Sequence, residues 1–479
     1  MRPPTPDTPP PTPLPAPLPT QSGRMIPFLV GCALFMQMLD STIVATALPA
    51  MAVALGTDPV HLNIAITSYL LAVAVFVPIS GWAADRFGAR RVFIVAICIF
   101  TLTSLTCALS VSVLQLVISR TLQGVGGAMM VPVGRIILLR SFPKHELLKA
   151  MAFLSLPALV GPIIAPPLGG FLVTYASWHW IFLINVPIGA IGVRLVILHI
   201  REFEPDGKDH PLDVLGFLLS ASFMAALVGG FASLGRPGVP LWSSMAIIVF
   251  GIMSAVVFVW HARRHADPIL DLSLLNIPTF EIATLAGNLC RFTVGATPFL
   301  LAMLLQVGFG LSAISAGLIT FVGAVGAMMM KFTAPPILKR WGYRRVLMVN
   351  AVLTGAGVAC CAGFTPTTPM AVMLGVLLMG GFFRSLQFTA LNTLAFADIP
   401  HERMSRASSF AAMTQQLSVS LGVGIAAGTL NVSMALRGGG SLAVADVVAG
   451  FIVIGLICAL AAIMFRRLPE QAGHALHGT

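Results

Sequence analysis

Beyond its first two dozen residues the chain is a succession of apolar stretches parted by short polar links. Each stretch runs to roughly 20 residues, long enough to cross a hydrocarbon core of about 30 Å as a helix. The pattern predicts fourteen membrane-spanning helices, over 25–53, 62–83, 92–110, 113–134, 150–174, 180–199, 214–233, 242–261, 279–306, 312–330, 346–364, 370–393, 407–434 and 444–465. Residues 1–20 break the pattern with ten prolines and no apolar period. Such a composition cannot pack a core, so a disordered or polyproline-like tail is expected up to residue 24. The apolar run that follows is too long for the hydrophobic part of a secretory signal peptide.

Charge orients these helices, because Lys and Arg gather in cytoplasmic loops. With both termini inside, the outward links hold Arg236 and Arg437 alone. Arg120, Arg194, Arg291 and Arg384 fall within helices, and every other basic residue lies on the inward side. A miscounted helix would scramble this alternation.

Composition removes the competing classes. The chain is 57% hydrophobic and 9% charged, against about 25% charged for a soluble domain. The net charge of +11 arises from scarce acids, 17 against 28 basic residues, rather than from a basic patch, which argues against nucleic acid. The seven cysteines sit in or beside apolar runs without CxxC or Cys/His spacing, so neither a disulfide framework nor a metal site is expected. No GxxxxGK[ST] loop provides for nucleotide, and no nucleophile–base pattern suggests an enzyme. No cofactor is implied.

The chain also repeats itself. Asp85-Arg86-Phe87-Gly88-Ala89-Arg90-Arg91-Val92 has a counterpart in Lys339-Arg340-Trp341-Gly342-Tyr343-Arg344-Arg345-Val346, in phase 254 residues later. Arg120-Thr121-Leu122-Gln123 is matched by Arg384-Ser385-Leu386-Gln387, and Pro143, Ala150 and Phe153 by Pro400, Ala407 and Phe410. Each pair lies eight helices apart. Two six-helix halves separated by two extra helices give that offset, and repeated halves enclosing a site are a common plan among secondary transporters.

Three motifs carry a family resemblance. The loop Gly81-x-x-x-Asp85-Arg86-x-Gly88-x-Arg90-Arg91, the helix Arg120-x-x-Gln123-Gly124-x-Gly126-Gly127-Ala128, and the stretch Ala158-Leu159-Val160-Gly161-Pro162-Ile163-Ile164-Ala165-Pro166-Pro167-Leu168-Gly169-Gly170 resemble signatures of the major facilitator superfamily, the last that of its antiporters. Leu39-Asp40-Ser41-Thr42-Ile43-Val44 with Ala47-Leu48-Pro49, and Trp178 to Gly189, are similar to its fourteen-span drug/proton antiporters. Ala45 departs from that pattern, since many members carry asparagine there. The resemblance implies an all-α membrane protein: a bundle over 25–199, two inserted helices within 200–278, a second bundle over 279–467 and a short tail over 468–479.

It further implies a proton-coupled exporter of amphipathic drugs or toxic small molecules, working by alternating access. A carrier of a defined metabolite such as an amino acid, sugar or siderophore is the alternative. The expected setting is the inner (plasma) membrane, both termini cytoplasmic, the protein a functional monomer with small-molecule substrate, protons and lipid as its partners. Gly81, Asp85, Arg86, Gly88, Arg90 and Arg91 form the expected gating loop. Gly161, Pro162, Pro166, Pro167, Gly169 and Gly170 form the expected antiporter helix.

Asp40 is the one carboxylate placed deep within a helix, about 14 residues and roughly 20 Å from its start. An intramembrane acid is a functional candidate by default. It either titrates as the cavity changes face or is bound permanently to hydroxyls such as Ser41 and Thr42. Arg120 is its possible cationic partner. Arg291 and Arg384 are mid-helix in the second half and serve either the substrate or a neighbouring helix. Arg194, near a helix end, is expected to snorkel.

Overall fold

The computed structural model describes residues 20–57, 62–141, 160–161, 164–202, 212–235, 238–265, 268–400, 403–438, 442–470 and 472. The proline-rich residues 1–19 and Pro162 lie outside the described residues, as do Pro143, Ala150, Phe153 and Arg236.

The first half consists of α1 (Thr20–Ala54), α2 (Ile64–Phe76), α3 (Ile79–Phe87), α4 (Ala89–Ala108), α5 (Val113–Ser141), α6 (Ile164–Tyr175) and α7 (Trp180–His199). Two helices follow, α8 (Val214–Ser233) and α9 (Leu241–Arg264). The second half holds α10 (Pro278–Ala302, prolonged by a wide turn over Met303–Gly308), α11 (Ala313–Trp341), α12 (Tyr343–Cys360), α13 (Met370–Ala395), α14 (Met404–Arg437) and α15 (Val444–Phe465). Among the described residues, twelve helices are long and apolar enough to cross a membrane singly.

Two predicted spans look different in the structure. The second is α2 and α3 together, bent by 56°. Pro78 sits at the break, where its missing N–H and its ring interrupt the helical ladder. The fifth is seen as α6, which covers only its later part. Helix α1 also starts at Thr20, so five residues assigned to the tail by composition are helical.

The interior is largely apolar, but apolar side chains also cover the outside, as suits a lipid surrounding. Large apolar side chains such as Leu102 on α4 and Phe250 and Val256 on α9 are exposed, facing hydrocarbon rather than water. Asp40, Arg120, Gln123 and Asn185 are wholly buried. Without a hydrophobic force between helices, association relies on close packing of small residues. Gly124 and Gly126 show this on α5: an added Cβ would meet Tyr69 O at 2.6 Å and Phe100 N at 2.8 Å.

In the first half α5 packs on α1, α2 and α4, with α7 beside α1 and α4. In the second half α10 packs on α13, α14 and α15, and α11 on α13. Helix α8 packs against both α2 and α14.

Candidate functional site

The centre of the first half is a closed polar cluster drawn from five helices. Arg120 on α5 donates from Nη1 to Asp40 Oδ2 at 2.5 Å and to Gln123 Oε1 at 2.6 Å. Asp40 Oδ1 accepts from Gln123 Nε2 at 3.1 Å and from Asn185 Nδ2 on α7 at 3.0 Å. Ser104 on α4 accepts from the same Gln123 amide at 2.6 Å. Arg120 Nε donates to Ala65 O at 3.3 Å, and its guanidinium carbon lies 4.2 Å from the Tyr69 ring centroid. Three donors converge on Asp40, an arrangement suited to an acceptor-only, ionised carboxylate. Ser41 and Thr42 play no part, since both hydroxyls donate back to Met38 O, the habit of hydroxyls within helices. Arg120 Nη2 is a buried polar atom without a protein partner.

The loop motif sits where α3 meets α4. Gly88 has φ of +86°, a backbone that favours glycine, and its repeat counterpart Gly342 has +71° between α11 and α12. Arg91 pairs with Glu202 just past α7, and Arg90 donates to Ile197 O at 2.7 Å and lies 3.8 Å from Glu202. Arg344 matches this with Glu470 beyond α15, at 2.9 Å. Arg90 and Arg91 therefore brace their own bundle. Contacts between the halves at this end come from elsewhere: a Cβ on Gly81 would lie 3.6 Å from Ser409 Oγ, and Arg135 donates to Ser408 Oγ at 3.3 Å.

The family profile of the Major Facilitator Superfamily matches residues 30–423 and 283–478. The chain belongs to the major facilitator superfamily. Proteins named "Putative multidrug resistance protein MdtD", from Salmonella newport (strain SL254) and other Salmonella strains, are 39% identical over 455 residues, covering 93% of this chain and 94% of theirs. Among solved structures, an auto-inhibited POT-family peptide transporter superposes with a TM-score of 0.69 at 15% identity, covering 93% of this chain and 97% of its own. A D-xylose–proton symporter gives 0.65 at 15% identity, with 95% and 99% covered. The protein is thus a multi-pass membrane transporter of facilitator fold.

The glycine- and proline-rich helix α6 lies at a contact between halves. A Cβ on Gly161 would touch Phe35 O of α1 at 3.0 Å, and one on Gly169 would meet Ile43 Cγ1 at 2.7 Å. Gly170 faces the start of α11, where its Cβ would stand 2.7 Å from Ile314 Cα, and Pro166 O lies against Gly317. Pro167 is half-buried beside them. Gln306 Nε2 donates to Thr46 O at 3.3 Å close by. This end is opposite the one carrying Gly88 and Gly342, so the halves touch at both ends.

In the second half, Arg291 is 3% exposed and donates to Asn288 Oδ1 at 3.2 Å and Asn392 Oδ1 at 3.0 Å. Arg384 is half-buried, and Arg194 is exposed on α7. Asp85 and Arg86 belong to the exposed tip of α3.

Glu202, Glu470, Gln123, Asn185 and Ser104 are functional candidates that sequence reasoning did not select. For Asn185 a signal existed, an amide within an apolar run. A further cluster joins Asp213, His261 and His265. Its carboxylate accepts from Gly216 N at 2.8 Å, His261 Nε2 at 2.8 Å and Ile269 N at 3.3 Å, and so caps α8. Burial would raise the Asp213 carboxyl, but these hydrogen bonds outweigh it and hold the group below its ordinary value.

Proposed function

We propose that this facilitator exports amphipathic drugs or other toxic small molecules across the inner (plasma) membrane in exchange for protons, acting as a monomer with both termini cytoplasmic. The drug reading is supported by the 39% identity to proteins named for multidrug resistance. Proton coupling rests on one observation: Asp40, buried mid-helix and surrounded by donors from α5 and α7. A proton arriving at Asp40 turns one acceptor oxygen into a donor. It must then displace one of Arg120, Gln123 or Asn185, which loosens the tie between α1 and its neighbours. Protonation and helix rearrangement become one event, and alternating access follows as the halves rock about their seams.

The test is export of an amphipathic dye by purified protein in liposomes under an imposed pH gradient. Uphill export should stop when an uncoupler dissipates the gradient. Export that continues at its full rate without a gradient would remove proton coupling.

A further inference from the structure

The two halves differ at the position where symmetry predicts a carboxylate. In the first half Gln123 Nε2 donates to Asp40 on α1. In the second half its repeat counterpart Gln387 donates from Nε2 to Cys290 Sγ on α10, at 3.5 Å. Cys290 thus receives the amide that Asp40 receives in the first half. Arg384, the counterpart of Arg120, has no carboxylate to meet. The chain holds no acidic residue at all between Glu281 and Asp398. Among the described residues, none hydrogen-bonds to Arg384.

Arg291 adds a second uncompensated charge. Its hydrogen-bonding partners Asn288 and Asn392 are neutral, and its Nε is buried without any partner. Both arginines border one narrow, partly open space with an enclosed volume of about 10 Å³, lined also by Cys290, Thr354, Gln387 and Phe388. Thr354 Oγ1 is a further buried atom without a partner. Arg384 lies 11 residues before the end of α13, about 16 Å along the helix, too deep for a lipid headgroup. Intramembrane arginines without an internal counter-ion mark a substrate path, and guanidinium forks suit carboxylates.

We propose that Arg291 and Arg384 bind the anionic group of the substrate, so that the transported compounds are amphipathic organic anions with an aromatic or aliphatic body against Phe388. This rests on the transport reading above and specifies its substrate class. The first half, whose own carboxylate is internally paired, then has no free acid to attract a cation.

The test uses three ligands of one shape: naphthoate, naphthylmethylammonium and naphthylmethanol. Binding to the purified wild-type protein is followed by thermal stabilisation across a concentration series. Naphthoate should bind at least about tenfold more tightly than the other two. Arg384→Gln should lose about that factor for naphthoate alone. Cys290→Asp supplies the missing counter-ion from within. It should abolish naphthoate binding while keeping or raising the melting temperature, which separates loss of the site from loss of the fold.

Equal or tighter binding of naphthylmethylammonium to the wild type would overturn the assignment without using any variant. Unchanged naphthoate affinity in both variants would do the same. Proton-driven export of a cationic dye, with no naphthoate binding, would leave the exchange function standing and remove this inference. Naphthoate binding with gradient-independent export would do the reverse.

Discussion

A buried ion pair is costlier to break than to replace whole, and Asp40 with Arg120 shows the asymmetry. Both side chains are fully buried. Removing one partner leaves a bare charge, at about 3–5 kcal/mol by analogy with other buried pairs. Asp40→Asn should therefore destabilise the protein, although it keeps the shape, because Arg120 is left with only amides, Ala65 O and the Tyr69 ring. Arg120→Gln should destabilise at least as much. The double variant Asp40→Asn with Arg120→Gln should recover much of the loss, read as melting temperatures of the four purified proteins. A strictly additive cycle would show that the pair is not coupled. In liposomes the double variant should retain downhill exchange and lose pH-driven export. Asp40 was legible in the sequence because a lone acid in an apolar run is conspicuous. Gln123, Asn185 and Ser104 were not legible as its partners, since an amide or hydroxyl carries no mark of the direction it faces until helices pack. The nearby Ser41 and Thr42 misled for a local reason: a helical hydroxyl prefers the carbonyl one turn back.

Helices here are held by caps and by contact between backbones. Asp213 caps α8 and also binds His261 near the end of α9, so Asp213→Ala should cost about 1–2 kcal/mol, seen as a lower melting temperature at neutral pH. The sign with pH follows from its depressed carboxyl. The stabilisation is complete above the unfolded value near ~3.9 and fades as pH falls through the lower folded value. The gap between wild type and variant should therefore close in acid. At the α6–α11 contact, Gly317 lies against Pro166 O with no room for a side chain. Gly317→Val should hold these ends apart and reduce transport by more than about tenfold, while ligand binding survives. Unimpaired turnover would show that this contact does not need to close. The positions of these helices were largely readable, because a span of apolar residues is set by membrane thickness. The bend at Pro78 and the early start of α1 were not, since hydropathy measures length and ignores direction.

At the scale of the whole molecule, the repeat in the loop motifs already pointed to two halves with two helices between them. What no repeat could reveal is where the halves meet. The pairs Arg90 and Arg91 with Glu202, and Arg344 with Glu470, tie loops to helix ends within one half, so these charges travel with their bundles as the halves move. Gly81 and Ser409 face each other across the division instead. Gly81→Cys with Ser409→Cys, in a background freed of the seven native cysteines, should cross-link under mild oxidation and stop turnover, with reduction restoring it. Cross-linked protein that transports normally would show that this end need not open. Helix α8 has a consequence of its own. It rests on α2 through Phe217 against Phe76, with ring centroids 5.6 Å apart, and on α14 through Phe231 O against Gly428. It therefore roofs over one of the two lines along which the halves part, whereas the line between α6 and α11 has no such cover among the described residues. The inserted helices thus set the two flanks of a two-bundle molecule apart, since α8 bridges the halves along one flank while α6 and α11 meet directly along the other.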